Sequence, residues 1–85
     1  MHREVIRVRV KLTQWSMGMR EAVIASVLVS VGDDVRIGDQ LLEVEAEKVS
    51  DVLVSPNAGK VVQINVGPGD VVQVGSELLV IETEM

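Results

Sequence analysis

The stretch Val29-Ser30-Val31-Gly32-Asp33-Asp34-Val35-Arg36-Ile37-Gly38-Asp39-Gln40-Leu41-Leu42 returns 37 residues later as Val66-Gly67-Pro68-Gly69-Asp70-Val71-Val72-Gln73-Val74-Gly75-Ser76-Glu77-Leu78-Leu79. The common frame is V-x2-G-D-x-V-x2-G-x2-L-L. Carried outward without a gap, the same shift lays residues 21–48 on 58–85 and adds Glu45/Glu82 and Glu47/Glu84 to the coincidences. Nine identities over 28 gapless positions, both turn glycines of each copy among them, exceed what a Val-rich composition produces by itself. One copy cannot bury its own apolar face, but two can, by packing face to face about a pseudo-two-fold axis. The expected fold is therefore all-β, a flattened barrel or sandwich of two small sheets.

The rest of the chain agrees with that reading. Val5–Leu12 alternates apolar and charged residues, the mark of a half-buried strand. Further strand-like runs occupy Ala22–Val31, Gln40–Ala46, Val49–Ser55, Lys60–Val66 and Glu77–Thr83, with short pieces at Val35 and Val71–Val74. Between them lie Gly32-Asp33-Asp34, Gly38-Asp39, Pro56-Asn57-Ala58-Gly59, Gly67-Pro68-Gly69-Asp70 and Gly75-Ser76, residues that supply the unusual or pre-set φ values of turns. Short strands separated by regular turns predict a sandwich or barrel, with no helix of useful length. Gly67-Pro68-Gly69 opens no helix and lacks a following Lys-Ser/Thr, so it reads as a turn and not as a phosphate loop. The whole chain, 1–85, reads as one domain, with residues 1–4 frayed.

Composition narrows the function by exclusion. Nineteen Val, seven Leu and five Ile make up most of the apolar mass, and Trp15 is the single aromatic residue. The absence of Cys removes disulfides, thiolate metal ligands and a thiol nucleophile. The one histidine, His2, leaves no catalytic His or His pair, so no catalytic residue and no metal site is predicted. A net charge of −5 argues against nucleic acid as a partner. No apolar run approaches the roughly 18 residues of a membrane span, and the charged N-terminus does not resemble a signal peptide, so neither a membrane nor a targeting segment is expected. The charge is uneven. Residues 1–20 carry Arg3, Arg7, Arg9, Lys11 and Arg20 against Glu4, whereas residues 21–85 carry three basic and twelve acidic side chains. Ordinary solvated surface accounts for this; an acidic working face with a basic strand behind it is the sharper reading.

Lys48 is singled out by the repeat. The second copy ends at the terminal Glu84-Met85, but the corresponding Glu47-Lys48 must turn into the next strand, which puts Lys48 on an exposed hairpin tip. Two-residue hairpins ordinarily use Asn-Gly or Asp-Gly, and Glu-Lys is a poor pair by that rule. Local rules are often broken at functional sites. Glu43, Glu45, Glu47 and Asp51 flank the lysine. A surface lysine with weakly interacting acidic neighbours is the plain alternative. Trp15, Met17 and Met19, in an aperiodic stretch after the first strand, are expected to cover one edge of the core.

Gly38-Asp39-Gln40-Leu41-Leu42-Glu43-Val44-Glu45-Ala46-Glu47-Lys48-Val49 resembles the G-D-x-L-x-x-x-E-[TA]-[DE]-K-[AV] segment of the biotinyl/lipoyl attachment family, in particular its lipoyl domains. Ser55-Pro56-Asn57-Ala58-Gly59 is similar to that family's [AS]-P-x-x-G turn, Met19–Ile24 to its M-x-E-G-x-I segment, and Val31–Val35 to its E-G-D-x-V turn. Departures are Ala22 for the usual Gly, Thr13 for a common Pro and Val31 for a frequent Glu. The resemblance spans roughly residues 12–84. It implies a lipoyl/biotinyl-carrier fold with lipoate as the cofactor, amide-linked to Lys48, and a swinging-arm carrier without catalysis of its own.

The partners so implied are a lipoate ligase or lipoyl transferase, a thiamine-diphosphate-dependent decarboxylase, an acyltransferase core and a flavin-dependent dihydrolipoamide dehydrogenase. The domain itself is expected to be monomeric, in the cytoplasm or mitochondrial matrix, and part of a longer acyltransferase of a 2-oxo acid dehydrogenase complex. A biotinyl carrier is the nearest alternative, but that branch usually reads M-K-M where this chain has Glu47-Lys48-Val49. The glycine-cleavage carrier is normally longer, with helical additions. An unmodified interaction module would have no need of a lysine at the tip.

Overall fold

The computed structural model describes residues 4–84. His2, Arg3 and Met85, and with them most of the stretch expected to fray, lie outside the described residues. Eight strands follow in order: β1 (Val5–Lys11), β2 (Glu21–Val27), β3 (Asp34–Val35), β4 (Gln40–Ala46), β5 (Val49–Val54), β6 (Gly59–Ile64), β7 (Val71–Gln73) and β8 (Glu77–Glu84). They form two antiparallel four-stranded sheets, ordered β1-β8-β6-β3 and β5-β4-β2-β7, and the described residues contain no helix.

The repeat is the symmetry of this sandwich. Under the 37-residue shift β2, β3 and β4 map onto β6, β7 and β8, and each sheet takes a strand of both copies. The core is built from the same mates: Ile24 with Val61, Leu41 with Leu78, Leu42 with Leu79 and Val44 with Ile81 are all fully buried. Hydrogen bonds repeat likewise. Gly32 N–H donates to Val61 O at 2.7 Å as Gly69 N–H donates to Ile24 O at 2.8 Å, and Leu28 N–H donates to Leu41 O as Asn65 N–H does to Leu78 O, each at 2.9 Å. Even the register irregularities match, between Ile24 and Ser26 in β2 and between Val61 and Gln63 in β6.

The symmetry also includes β1 and β5, which the 37-residue shift does not relate. Ser55 N–H donates to Asp39 O and Gly38 N–H to Ser55 O; Leu12 N–H donates to Ser76 O and Gly75 N–H to Leu12 O in the same pattern. Leu12 and Ser55 are thus equivalent, a shift of 43 residues (55 − 12).

Two strands stop earlier than the apolar pattern predicts, β2 at Val27 instead of Val31 and β6 at Ile64 instead of Val66. The cause is a side-chain acceptor that captures the chain. Asp33 Oδ2 accepts Ser30 N–H, and Asp70 Oδ2 accepts Gly67 N–H, both at 2.8 Å, folding residues 30–33 and 67–70 into turns that cross to the other sheet. The remaining boundaries agree within a residue.

Gly59 and Ala22 are repeat mates that differ in what they tolerate. A Cβ on Gly59 would collide with the Glu82 carbonyl oxygen and Ile81 Cγ2, whereas Ala22 carries its Cβ buried in the core. Gly59→Ala is expected to destabilise the domain by about 2–3 kcal/mol through backbone displacement. Ala22→Gly should cost only about 1 kcal/mol. Urea unfolding of the two variants, with midpoints in that order, checks the assignment.

Candidate functional site

Alternation along β4 places Leu42, Val44 and Ala46 in the core and leaves Glu43 and Glu45 outside. β5 returns antiparallel, with Ala46 opposite Val49 as the last pair, so Glu47 and Lys48 form a two-residue connection, both exposed. Glu47 has φ = 55°, the one non-glycine residue with positive φ among the described residues. That conformation costs a side-chain-bearing residue about 1–2 kcal/mol. Lys48 has no ion pair or side-chain hydrogen bond to any described residue. Its amine is free to be acylated, which is what an amide-linked cofactor requires of its lysine. Lys11 and Lys60 are also exposed, but they stand within β1 and β6 and not on a tip.

The tip lies at the end of the sandwich opposite the point where β1 starts and β8 ends. β7 pairs with Glu21–Val23, and Val23 in turn faces Glu45 close to the tip. The turn after β7 leads directly into β8, so β8 begins at the tip end and runs away from it. β1, antiparallel to β8, arrives there at Leu12. The connection from β1 to β2 therefore runs past the hairpin. Gly18, Met19, Arg20 and Glu21 line a shallow cleft with Glu47.

That connection corrects one expectation. Met19 is buried and Trp15 packs against the core, but Met17 is 99% exposed and covers nothing. Ser16-Met17-Gly18 forms a turn, with Met19 N–H donating to Ser16 O at 3.2 Å, and the turn directs Met17 outward.

The four flanking acids do not form one cluster. Glu43 and Glu45 share the outer face of their sheet, opposite Val52 and Ser50, and Ser26 Oγ donates to Glu43 Oε1 at 2.8 Å. Asp51 stands opposite the buried Val44, on the other side of the hairpin, with Oδ1 accepting Val52 N–H. The basic strand lies in the other sheet. There Arg7 Nε is 3.6 Å from Glu82 Oε2 and Arg9 Nε 3.0 Å from Glu77 Oε1, pairs of an exposed arginine with a half-buried glutamate, worth about 1 kcal/mol each. Glu82 is the mate of Glu45, and Arg7 the mate of Ser50, so one frame gives a neutralised glutamate in one sheet and an unneutralised one beside the tip. The sequence places Lys48 on the tip, where the structure has it, but not the left-handed Glu47; the poor turn pair Glu47-Lys48 was the available signal.

No group of three or more His, Cys, Asp or Glu side chains among the described residues is arranged to hold a metal ion. An open depression between β3, β6 and β8, lined by Val35, Arg36, Gly59, Lys60 and Glu82, lies at the far end from Lys48.

A family model described as "Biotin-requiring enzyme" (Biotin_lipoyl) matches residues 8–81. The chain is 41% identical over 58 residues to the dihydrolipoyllysine-residue acetyltransferase component of the pyruvate dehydrogenase complex of Mycoplasma capricolum, covering 68% of this chain and 13% of that protein. The Mycoplasma genitalium protein of the same description is 41% identical over 56 residues, 66% of this chain and 15% of its own length. The chain thus spans about a seventh of these relatives. Among solved structures, a single-chain, multi-domain long-chain acyl-CoA carboxylase aligns with TM-score 0.66 and 31% identity, over 92% of this chain and 7% of that one.

The unequal exposure of the loop side chains is directly testable. Trp15→Ala is expected to lower stability by about 2 kcal/mol, from half-buried aromatic area lost to the core. Met17→Ala should change it by less than about 0.5 kcal/mol, as surface substitutions do. Thermal melts of both variants distinguish the two roles.

Proposed function

The chain belongs to the biotin- and lipoyl-attachment family, and from that premise we propose that it is a lipoyl carrier domain with lipoate amide-linked to Lys48 Nζ. The observation that carries the reading is the tip itself: of three lysines, Lys48 alone stands on a two-residue hairpin connection, exposed and unengaged by any described residue. When attached there, lipoate supplies a dithiolane that takes up an acyl group with two electrons. The chain's own residues position it. β4 and β5 hold the arm's base on a strand pair anchored in the core by Leu42, Val44 and Ala46, and rigid elements fix such a base more closely than loops do. Amide formation removes the Lys48 charge, which leaves Glu43, Glu45 and Glu47 as a more acidic surround for partner enzymes.

The partners proposed are those of a 2-oxo acid dehydrogenase complex: a lipoate ligase or lipoyl transferase, a thiamine-diphosphate-dependent decarboxylase, an acyltransferase core and a flavin-dependent dihydrolipoamide dehydrogenase. The acetyltransferase descriptions of the Mycoplasma relatives support this assignment. We also propose a site of action in the cytoplasm or mitochondrial matrix, where such complexes operate. A biotinyl carrier is the second reading, favoured by the carboxylase among similar structures. Glu47 and Val49, where that branch usually has methionines, favour lipoate.

Incubation with a lipoate ligase, ATP and lipoate is expected to add one lipoyl group to the intact mass, and a biotin ligase to add none. Lys48→Arg should abolish the addition with the thermal midpoint unchanged, while Lys11→Arg and Lys60→Arg retain it. Label on the Lys48→Arg protein, or biotin on the wild type, overturns the reading.

A further inference from the structure

Six described residues have positive φ, and five of them are glycines: Gly18, Gly32, Gly38, Gly69 and Gly75, with φ between 83° and 99°. The left-handed well open to L-residues spans about +50° to +70°. Those five positions lie beyond it, and none has a neighbouring atom within 4 Å of a built Cβ, so backbone conformation and not space is what calls for glycine there. Glu47, at 55°, lies inside the well. The tip thus has the one left-handed position of the described chain that a side chain can occupy, and a side chain occupies it.

We propose that Glu47 is the positioning residue of the attachment tip. The inference rests on the reading of Lys48 as the modified lysine. A glycine at 47 would reach the whole positive-φ region and much of the negative one. A residue with a Cβ is held in a single narrow well once the β4–β5 pairing imposes positive φ. Because Lys48 is the next residue, the Glu47 backbone sets the direction in which the Lys48 Cα–Cβ bond leaves the hairpin. The strain at Glu47 is offset by the pairing of Ala46 with Val49 and of Glu45 with Ser50 immediately below it. What this secures is a lysine presented in one orientation, so that a modifying enzyme meets its binding-competent form without first selecting it from an ensemble. The Glu47 carboxylate is a separate matter: Arg20 lines the same cleft, yet no ion pair joins them.

Four proteins separate backbone from charge: wild type, Glu47→Gly, Glu47→Asn and Glu47→Gln. Each is assayed as substrate for a lipoate ligase over a range of domain concentrations, with thermal midpoints and 15N order parameters of residues 46–49 measured on the unmodified chains. Glu47→Gly should raise KM for the domain about three- to tenfold at unchanged kcat, the effect of a smaller competent fraction. Its tip order parameters should fall from about 0.85 toward 0.6, while its thermal midpoint does not fall. Glu47→Gln should match wild type in all three measurements, and Glu47→Asn, which tolerates the left-handed region and keeps a Cβ, should restore KM and order. A Glu47→Gly protein with wild-type KM, or with wild-type order parameters, overturns the proposal. So does a Glu47→Gln protein as impaired as Glu47→Gly, which would assign the effect to the carboxylate. If the wild type is not modified at Lys48, the carrier reading fails, and the order parameters still decide whether Glu47 stiffens the tip.

Discussion

Everything in this domain depends on the mutual burial of two apolar faces, neither of which is large enough to fold alone. Small domains bury a modest fraction of their surface and have little stability to spare. Here the shortfall is met by using one frame twice, so that Ile24, Leu41, Leu42 and Val44 pack in one core with Val61, Leu78, Leu79 and Ile81. The arrangement requires the chain to cross between the sheets at every connection except that of β4 to β5, and each crossing exposes backbone groups to loss of partners. Asp33 and Asp70 supply side-chain acceptors at equivalent points of the β2–β3 and β6–β7 crossings, and Gly32 and Gly69 donate to the opposite copy beside them. The turn frame G-D thus closes the crossings that bring the buried leucines of the two copies together.

Symmetry then dictates where the working end lies. β4 and β8 are equivalent, and each finishes at one end of the sandwich. At one end the chain continues through Glu47 and Lys48 into β5; at the other, β8 runs out beside the start of β1. The same frame is dressed differently at the two places. Arg7 and Arg9 pair with Glu82 and Glu77 across β1 and β8, whereas Ser50 and Val52, the equivalents of those arginines, leave Glu45 without a cation and Glu43 with only a serine hydroxyl among the described residues. A duplicated scaffold has thus become one quiet sheet and one charged sheet next to the proposed attachment lysine.

Most of this was legible in the residues because burial has a period and turns have a chemistry. The frame shared by Val29–Leu42 and Val66–Leu79 makes the two-fold legible, and the turn at Glu47-Lys48 between the alternating runs Leu41–Ala46 and Val49–Val54 makes the hairpin legible. The equivalence of β1 with β5 was not legible. Residues 5–12 and 48–55 share no identity at their 43-residue spacing, and what relates them is the backbone hydrogen bonding of Leu12 and Ser55, which any side chain can support. The overrun of β2 and β6 had a similar origin. Leu28, Val29 and Val31 keep an apolar composition past the strand, and only the capture of Ser30 N–H by Asp33 shows where pairing stops. Met17 failed for a different reason: composition says what a side chain would prefer, but a turn at Ser16–Gly18 decides which way it points.

The open clefts of the described surface follow from the same economy. Fifteen buried apolar residues form the core cluster among the described residues, which leaves few to line a cavity. Chemistry carried on a flexible arm does not need enclosure by its carrier; it needs a base whose position does not wander and a route to other proteins' sites. Antiparallel β4 and β5, closed by a two-residue connection, provide the first. The second comes from the opposition of ends: any chain continuing from β1 or β8 leaves the sandwich at the far side from Lys48, so a tether does not crowd the face assigned to partner enzymes in the function proposed above.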